Sequence, residues 1–118
     1  MQEKSFSLSE PWFSFMKNGI KRVEGKKGNQ KQIDLFTLDP DIPIRVTSTT
    51  NPEEEDFSIK VLRVTRYRDI RSYLEHEGLR TTLPGVHTIE EGVSIYLQFW
   101  NEEDIREHGV IAVEVVVM

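Results

Sequence analysis

The clearest periodicity in the chain is FSIKVLRVTRY, residues 57–67. Phe57, Ile59 and Val61 alternate with Ser58 and Lys60, which predicts a strand with one buried face. Leu62 breaks the parity and Arg63 and Thr65 resume polar positions beyond it, so the pattern shifts there. IPIRVTST (42–49) alternates in the same way, with Ile42, Ile44 and Val46 set against Pro43, Arg45 and Thr47. IDLFTL (33–38) reads as another strand, separated from it by the turn signal Asp39-Pro40-Asp41. Arg22-Val23-Glu24 reads as a short strand ending at Gly25, and VIAVEVV (110–116) as a mostly buried closing strand.

Helical spacing appears elsewhere. Ser9-Glu10-Pro11 predicts a helix start with Ser9 as cap, and Trp12, Phe13, Phe15 and Met16 continue it over residues 10 to 18, with Gly19 as the stop. Asp69 is a cap for a second helix that puts Ile70, Tyr73 and Leu74 on one side and ends at Gly78. Leu83-Pro84-Gly85 is a turn. Thr88 with Glu91 three residues on forms a capping box, and Ile89, Val93, Tyr96, Leu97 and Trp100 fall on one helical face. Asn101 opens a short acidic helix that stops at His108-Gly109, and TNPEEED is a solvated loop.

This order, helix then strands then helices then a last strand, predicts an α+β fold. The expected product is a small, strongly bent mixed sheet or barrel with short helices at one side or over its openings. The last strand would pair with one far back in sequence. Alternating βαβ units are excluded because no Gly-rich βα turn exists. A length of 118 residues fits one domain, 1–118.

Composition narrows the classes further. No apolar run approaches the roughly 20 residues of a membrane helix, and Met1 to Ser9 is too polar for a leader peptide. The chain has no cysteine, which removes disulfides and thiolate metal sites and suits an intracellular protein, cytoplasmic or nuclear. His76, His87 and His108 lie on separate segments without ligand spacing, so neither a metal nor a cofactor is expected.

Charge adds a candidate surface. The chain carries net charge −5, yet Lys17, Lys21, Arg22, Lys26, Lys27 and Lys31 surround the single acid Glu24. Lys60, Arg63, Arg66, Arg68 and Arg71 form a second basic stretch around Asp69, while acid concentrates in Glu53–Asp56 and Glu90–Glu107. The two basic segments either converge on one phosphate-attracting face or scatter as solubility charge. Trp12 either packs the core or stacks on a base; Tyr67, between Arg66 and Arg68, either stacks on a base or packs inward. Lys21 and Glu24 either share a cleft, with Gly25 supplying the bend, or form a surface ion pair worth at most about 1 kcal/mol.

Ser9-Glu10-Pro11-Trp12 followed by Asn18-Gly19-Ile20-Lys21-Arg22-Val23-Glu24 resembles the ASCH domain pattern, in which a short helix runs into G-x-K-x-x-E. Tyr67-Arg68-Asp69-Ile70, Tyr73 to Leu79, Leu83-Pro84-Gly85, Glu90 to Tyr96 and Gly109 to Val113 are similar to later ASCH signatures, in the family's order. The resemblance implies a PUA-like β-barrel whose cleft takes single-stranded RNA or a modified nucleoside. On that reading Lys21 and Glu24 form the floor. Lys17, Arg22, Lys26, Lys27 and Arg66 meet phosphates, and Trp12 and Tyr67 meet bases.

Some ASCH proteins resemble amidohydrolases acting on N4-acetylcytidine, with a lysine, a threonine three residues on, and a downstream glutamate. Lys21 and Glu77 match the first and last, but Glu24 stands where the threonine is expected. In that hydrolase version Lys21 polarises the amide carbonyl and Glu24 or Glu77 activates water. Others resemble ribonucleases, for which Lys21, Glu24 and Tyr67 would supply acid, base and phosphate contacts. A third expectation is a protein-interaction module in transcription or RNA processing, meeting a basic partner through Glu90 to Glu107.

Overall fold

The computed structural model describes residues 3–118; Met1 and Gln2, at the start of the polar N-terminal stretch, lie outside the described residues. Along the chain run β1 (Lys4–Leu8), α1 (Trp12–Lys17), β2 (Val23–Lys27), α2 (Gln30–Thr37), β3 (Ile44–Ser48) and β4 (Phe57–Tyr67). They are followed by α3 (Ile70–Glu77), α4 (Leu79–Thr82), α5 (Ile89–Leu97), α6 (Glu102–His108) and β5 (Val110–Val117). The five strands form one mixed sheet in the order β1-β3-β4-β5-β2. β1 pairs with β3 in parallel and the other pairings are antiparallel.

β5 sits between β4 and β2, so the chain's last strand joins one from its first quarter. Its two faces are both covered. Ile111, Val113 and Val115 enter one cluster with Phe6, Phe13, Phe36 and Ile59. Val110 and Ala112 enter a second with Ile70, Tyr73, Leu74 and Tyr96. A strand buried on both faces needs apolar residues at every position, which is why this segment reads as a near-continuous hydrophobic run. The sheet curls into a half-barrel. Among the described residues its edge strands β1 and β2 do not pair, so the barrel is not closed.

The parity break at Leu62 is a β-bulge: the β4–β5 register shifts between Val61 and Arg63. Asp69 caps α3 by accepting from the Ser72 amide, Thr88 caps α5 through the Glu91 amide, and Asn101 caps α6 through the Asp104 amide. Gly78 and Gly109 follow α3 and α6 at φ of 86° and 71°, the left-handed region that favours glycine.

Four expectations are corrected. Residues 33–38 are not a strand: 33–37 lie in α2 and Leu38 is its C-cap, and the helix is capped at its start by the Asn29 carboxamide oxygen accepting from the Gln32 amide. Ile33 and Phe36, three apart, face the core from it. KSFSL forms a strand, β1, that its polar look concealed: Phe6 and Leu8 alone point inward. Ser9 does not cap α1; the Glu10 carboxylate accepts from Ser14 Nα and Oγ, and the helix begins at Trp12. Gly25 neither bends nor ends β2. It lies mid-strand opposite Ala112, and a Cβ there would fall 2.6 Å from Tyr73 Oη, so glycine is what lets the Tyr73 ring lie on the strand.

Candidate functional site: a cleft between two unpaired edges

α1 ends in a tight turn. Asn18 and Gly19 close it, Gly19 at φ 77°, and the amides of Ile20 and Lys21 both donate to the Phe15 carbonyl, at 2.8 and 3.0 Å. The bend that turns Lys21 inward therefore precedes β2. Lys21 Nζ then donates to the carbonyls of Val23 (2.7 Å) and Thr82 (2.5 Å) and lies 3.2 Å from Glu24 Oε1. Two carbonyls thus accept from the ammonium, and the Glu24 carboxylate pairs with its charge. The Lys21 side chain is 1% exposed and that of Glu24 7%, so the surface ion pair is excluded. Burial pulls the Lys21 pKa below the ordinary lysine value, and the charge and hydrogen bond of Glu24 oppose that fall. The second carboxylate oxygen, Oε2, lies 3.4 Å from Lys26 Nζ, which sits over the Phe6 ring at 5.0 Å.

This Lys21–Glu24–Lys26 group is part of the floor of a cleft of about 310 Å³. The cleft is lined by the end of β1 and the residue after it (Ser7 to Ser9), by β2 (Glu24 to Lys26) and by the aromatic side chains Trp12, Tyr96, Phe99 and Trp100. The cleft thus occupies the seam where β1 and β2 would have met in a closed barrel. Tyr96 and Trp100 stack with centroids 4.7 Å apart, while Phe99 is 66% exposed.

Of the residues expected at the site, Trp12, Lys21, Glu24 and Lys26 come together here. The others do not line the cleft. Lys17 is held by Glu54 and the Glu55 carbonyl. Lys27 pairs with Asp104, and Arg66 donates to the Gly28 carbonyl. Arg22 is exposed at the entry to β2. Tyr67 packs against Tyr73 and His76, and its hydroxyl donates to Glu77 at 2.6 Å. Glu77 is bound there by both terminal nitrogens of Arg63, at 2.8 and 2.9 Å, and Arg63 also reaches Glu114. Those Arg63 bonds hold the Glu77 carboxyl below the usual range. Glu77 thus ties α3 to β4 and β5 rather than facing the cleft. The two basic segments meet at one point, where Arg66 donates to the Gly28 carbonyl, but several of their cations are engaged by nearby carboxylates and carbonyls.

Sequence reasoning missed Tyr96, Phe99 and Trp100 as cleft residues. Tyr96 and Trp100 are four apart on the inward helical face, a signal that points to a core. Phe99 carried no periodic signal at all. In the acidic stretch, Glu90 pairs with Arg71 and Asp104 with Lys27, while Glu102 and Glu103 are exposed. Among the described residues no helix is long and apolar enough to cross a membrane, and no three His, Cys, Asp or Glu side chains converge as a metal-ligand set.

No family model matches the chain, and no curated protein does. Solved structures do. The crystal structure of hypothetical protein PH0355 superposes with a TM-score of 0.80 at 29% identity, over 99% of this chain and 100% of that one. The solution structure of protein PF0455 from Pyrococcus furiosus gives a TM-score of 0.74 at 28% identity, over 99% and 98%. The whole chain is therefore similar in fold to two archived structures of small proteins whose names carry no activity.

Proposed function

We propose that this chain is an ASCH-type domain on a PUA-like half-barrel that binds a nucleoside, or one unstacked base of single-stranded RNA, in the cleft between β1 and β2. The observation that carries this reading is a small aromatic-lined cavity with a buried carboxylate on its floor and an ammonium at each of that carboxylate's oxygens. A volume of about 310 Å³ is at the small-ligand end of the range for binding sites. Stacking of a base on such aromatic walls is worth about 1–3 kcal/mol. Glu24 accepts from a base N–H, as acids do with amino groups in nucleic-acid recognition, and Lys26 donates beside it.

Binding of the base dominates over the phosphates on this reading. Lys17, Lys27 and Arg66 already have partners within the protein, so the salt dependence expected of a phosphate-led interface is shallow. The geometry favours recognition over amide hydrolysis. Lys21 Nζ is buried and already donates to two carbonyls beside its ion pair with Glu24, which leaves it poorly placed to polarise an amide carbonyl.

The test is titration of the labelled protein with the four ribonucleosides, N4-acetylcytidine and short single-stranded RNA, followed by NMR shifts. Saturable shifts confined to Trp12, Glu24, Lys26 and Trp100 are expected, and they should be lost in the double variant Lys21→Met/Glu24→Gln once circular dichroism shows it folded. No shift in the cleft with any of these ligands overturns the proposal. Release of acetate from N4-acetylcytidine would move the reading to a hydrolase.

A further inference from the structure

Two hydroxyls lie side by side behind the cleft: Tyr73 Oη and Tyr96 Oη are 2.8 Å apart. Each carries one proton, yet one hydrogen bond between them uses only one of the two. Among the described residues neither hydroxyl has another side-chain or backbone acceptor at hydrogen-bond distance. One phenolic proton is therefore left without a protein acceptor in a buried place, where an unmet donor is costly.

The surroundings decide which. Tyr73 is wholly buried, its hydroxyl pressed against Gly25 of β2. Tyr96 borders the cleft, stacked on Trp100. Of the two, only Tyr96 lines the cleft, so the arrangement that leaves no buried donor unmet has Tyr73 donating to Tyr96 and the Tyr96 proton directed at the cleft that Glu24 also lines.

We infer that the Tyr96 hydroxyl is a ligand-binding donor: it bonds to an acceptor atom of the bound heterocycle, while Glu24 accepts from an N–H on the same edge. The ligand class this selects is a planar ring with donor and acceptor neighbouring each other, an amidine or imide edge. The inference rests on the nucleoside reading above and adds to it the group that recognises the acceptor.

The experiment uses wild type, Tyr96→Phe and Tyr73→Phe, each checked for folding by circular dichroism. Calorimetric titration uses the four ribonucleosides as probes. Tyr96→Phe keeps the ring stacked on Trp100 and is expected to weaken the best-bound nucleoside about tenfold, the loss of one buried hydrogen bond to a ligand. Tyr73→Phe leaves the Tyr96 donor in place and stays within about threefold of wild type. A second readout follows hydroxyl exchange by the deuterium isotope shift at tyrosine Cζ. Tyr96 should exchange fast in the free protein and slowly when the nucleoside is bound, while Tyr73 is slow in both. Binding that Tyr96→Phe leaves intact, or a Tyr96 hydroxyl that stays fast in the complex, overturns this inference and leaves the nucleoside reading standing. Absence of nucleoside binding in wild type overturns the parent reading and this one with it.

Discussion

Lys21 Nζ lies 3.2 Å from Glu24 Oε1, and the two side chains are 1% and 7% exposed. A strand sends residues three apart to opposite faces. The pair meets because Lys21 stands before β2, in the turn that Gly19 opens, and its long side chain folds back along the strand edge to the Val23 carbonyl. The ion pair is therefore a product of one reversal of the chain, and the charge it buries is useful only if the site as a whole holds it.

Removing one partner should be far worse than removing both. Lys21→Met leaves Glu24 buried with Lys26 as its remaining cation, and the expected loss is about 3 kcal/mol. The double variant Lys21→Met/Glu24→Gln should recover a substantial part of it. Chemical denaturation of the three proteins measures this; a double variant less stable than Lys21→Met would show that the carboxylate is not the strained partner.

Phe99 should separate binding from folding. Its ring lines the cleft and is 66% exposed, so Phe99→Ala should move stability by no more than about 0.5 kcal/mol. On the nucleoside reading it should weaken ligand binding by about 1 kcal/mol or more, the worth of a stacking face. Melting curves and calorimetric titration on the same preparation give both numbers.

Glu77 should govern part of the acid sensitivity. The hydrogen bonds from Arg63 lead in depressing its folded-state pKa below 4.5. A carboxyl depressed on folding stabilises the protein above its unfolded pKa, and that contribution disappears as pH falls through the folded value. Wild type should thus lose stability progressively below about pH 4.5, close to the unfolded glutamate pKa. Glu77→Gln should be less stable at pH 7, with the gap between the two proteins narrowing in acid. Urea midpoints from pH 7 to pH 3 test this; a gap of constant size would remove Glu77 from the account.

Gly25 should resist any side chain. A Cβ would meet Tyr73 Oη at 2.6 Å and two ring carbons at 2.7 and 2.8 Å. The Tyr73 ring is fully buried and has nowhere to go. Gly25→Ala is expected to cost about 1–3 kcal/mol by overpacking, and to broaden the Tyr73 and Tyr96 NMR signals. Unchanged stability would mean that α3 can lift from β2 freely.

How much of this was legible depends on the range of the interaction concerned. Alternation marked β4 and even its bulge at Leu62, because a change of parity is a local event. The caps Asp69, Thr88 and Asn101 announced three helices, because each side chain bonds an amide three residues on. α2 was misread although it has the same device: Asn29 lay outside the window in which IDLFTL looked like a strand. A run of six residues with apolar positions at 33, 35, 36 and 38 fits either period. β1 was missed because two inward residues in five are too few to register.

The chain itself determined β4 with its bulge, the caps of α3, α5 and α6 and the near-continuous apolar run of β5, since these rest on neighbours within a turn or a strand. Tertiary structure alone decided that the half-barrel stays open between β1 and β2, and that Tyr96 of α5 and Phe99 and Trp100 of the turn after it line the gap from far along the chain. It also decided that Glu77 is bound by Arg63 and Tyr67 instead of facing Lys21. Which side chains share a cavity depends on how distant segments pack, and no spacing along the chain encodes that distance.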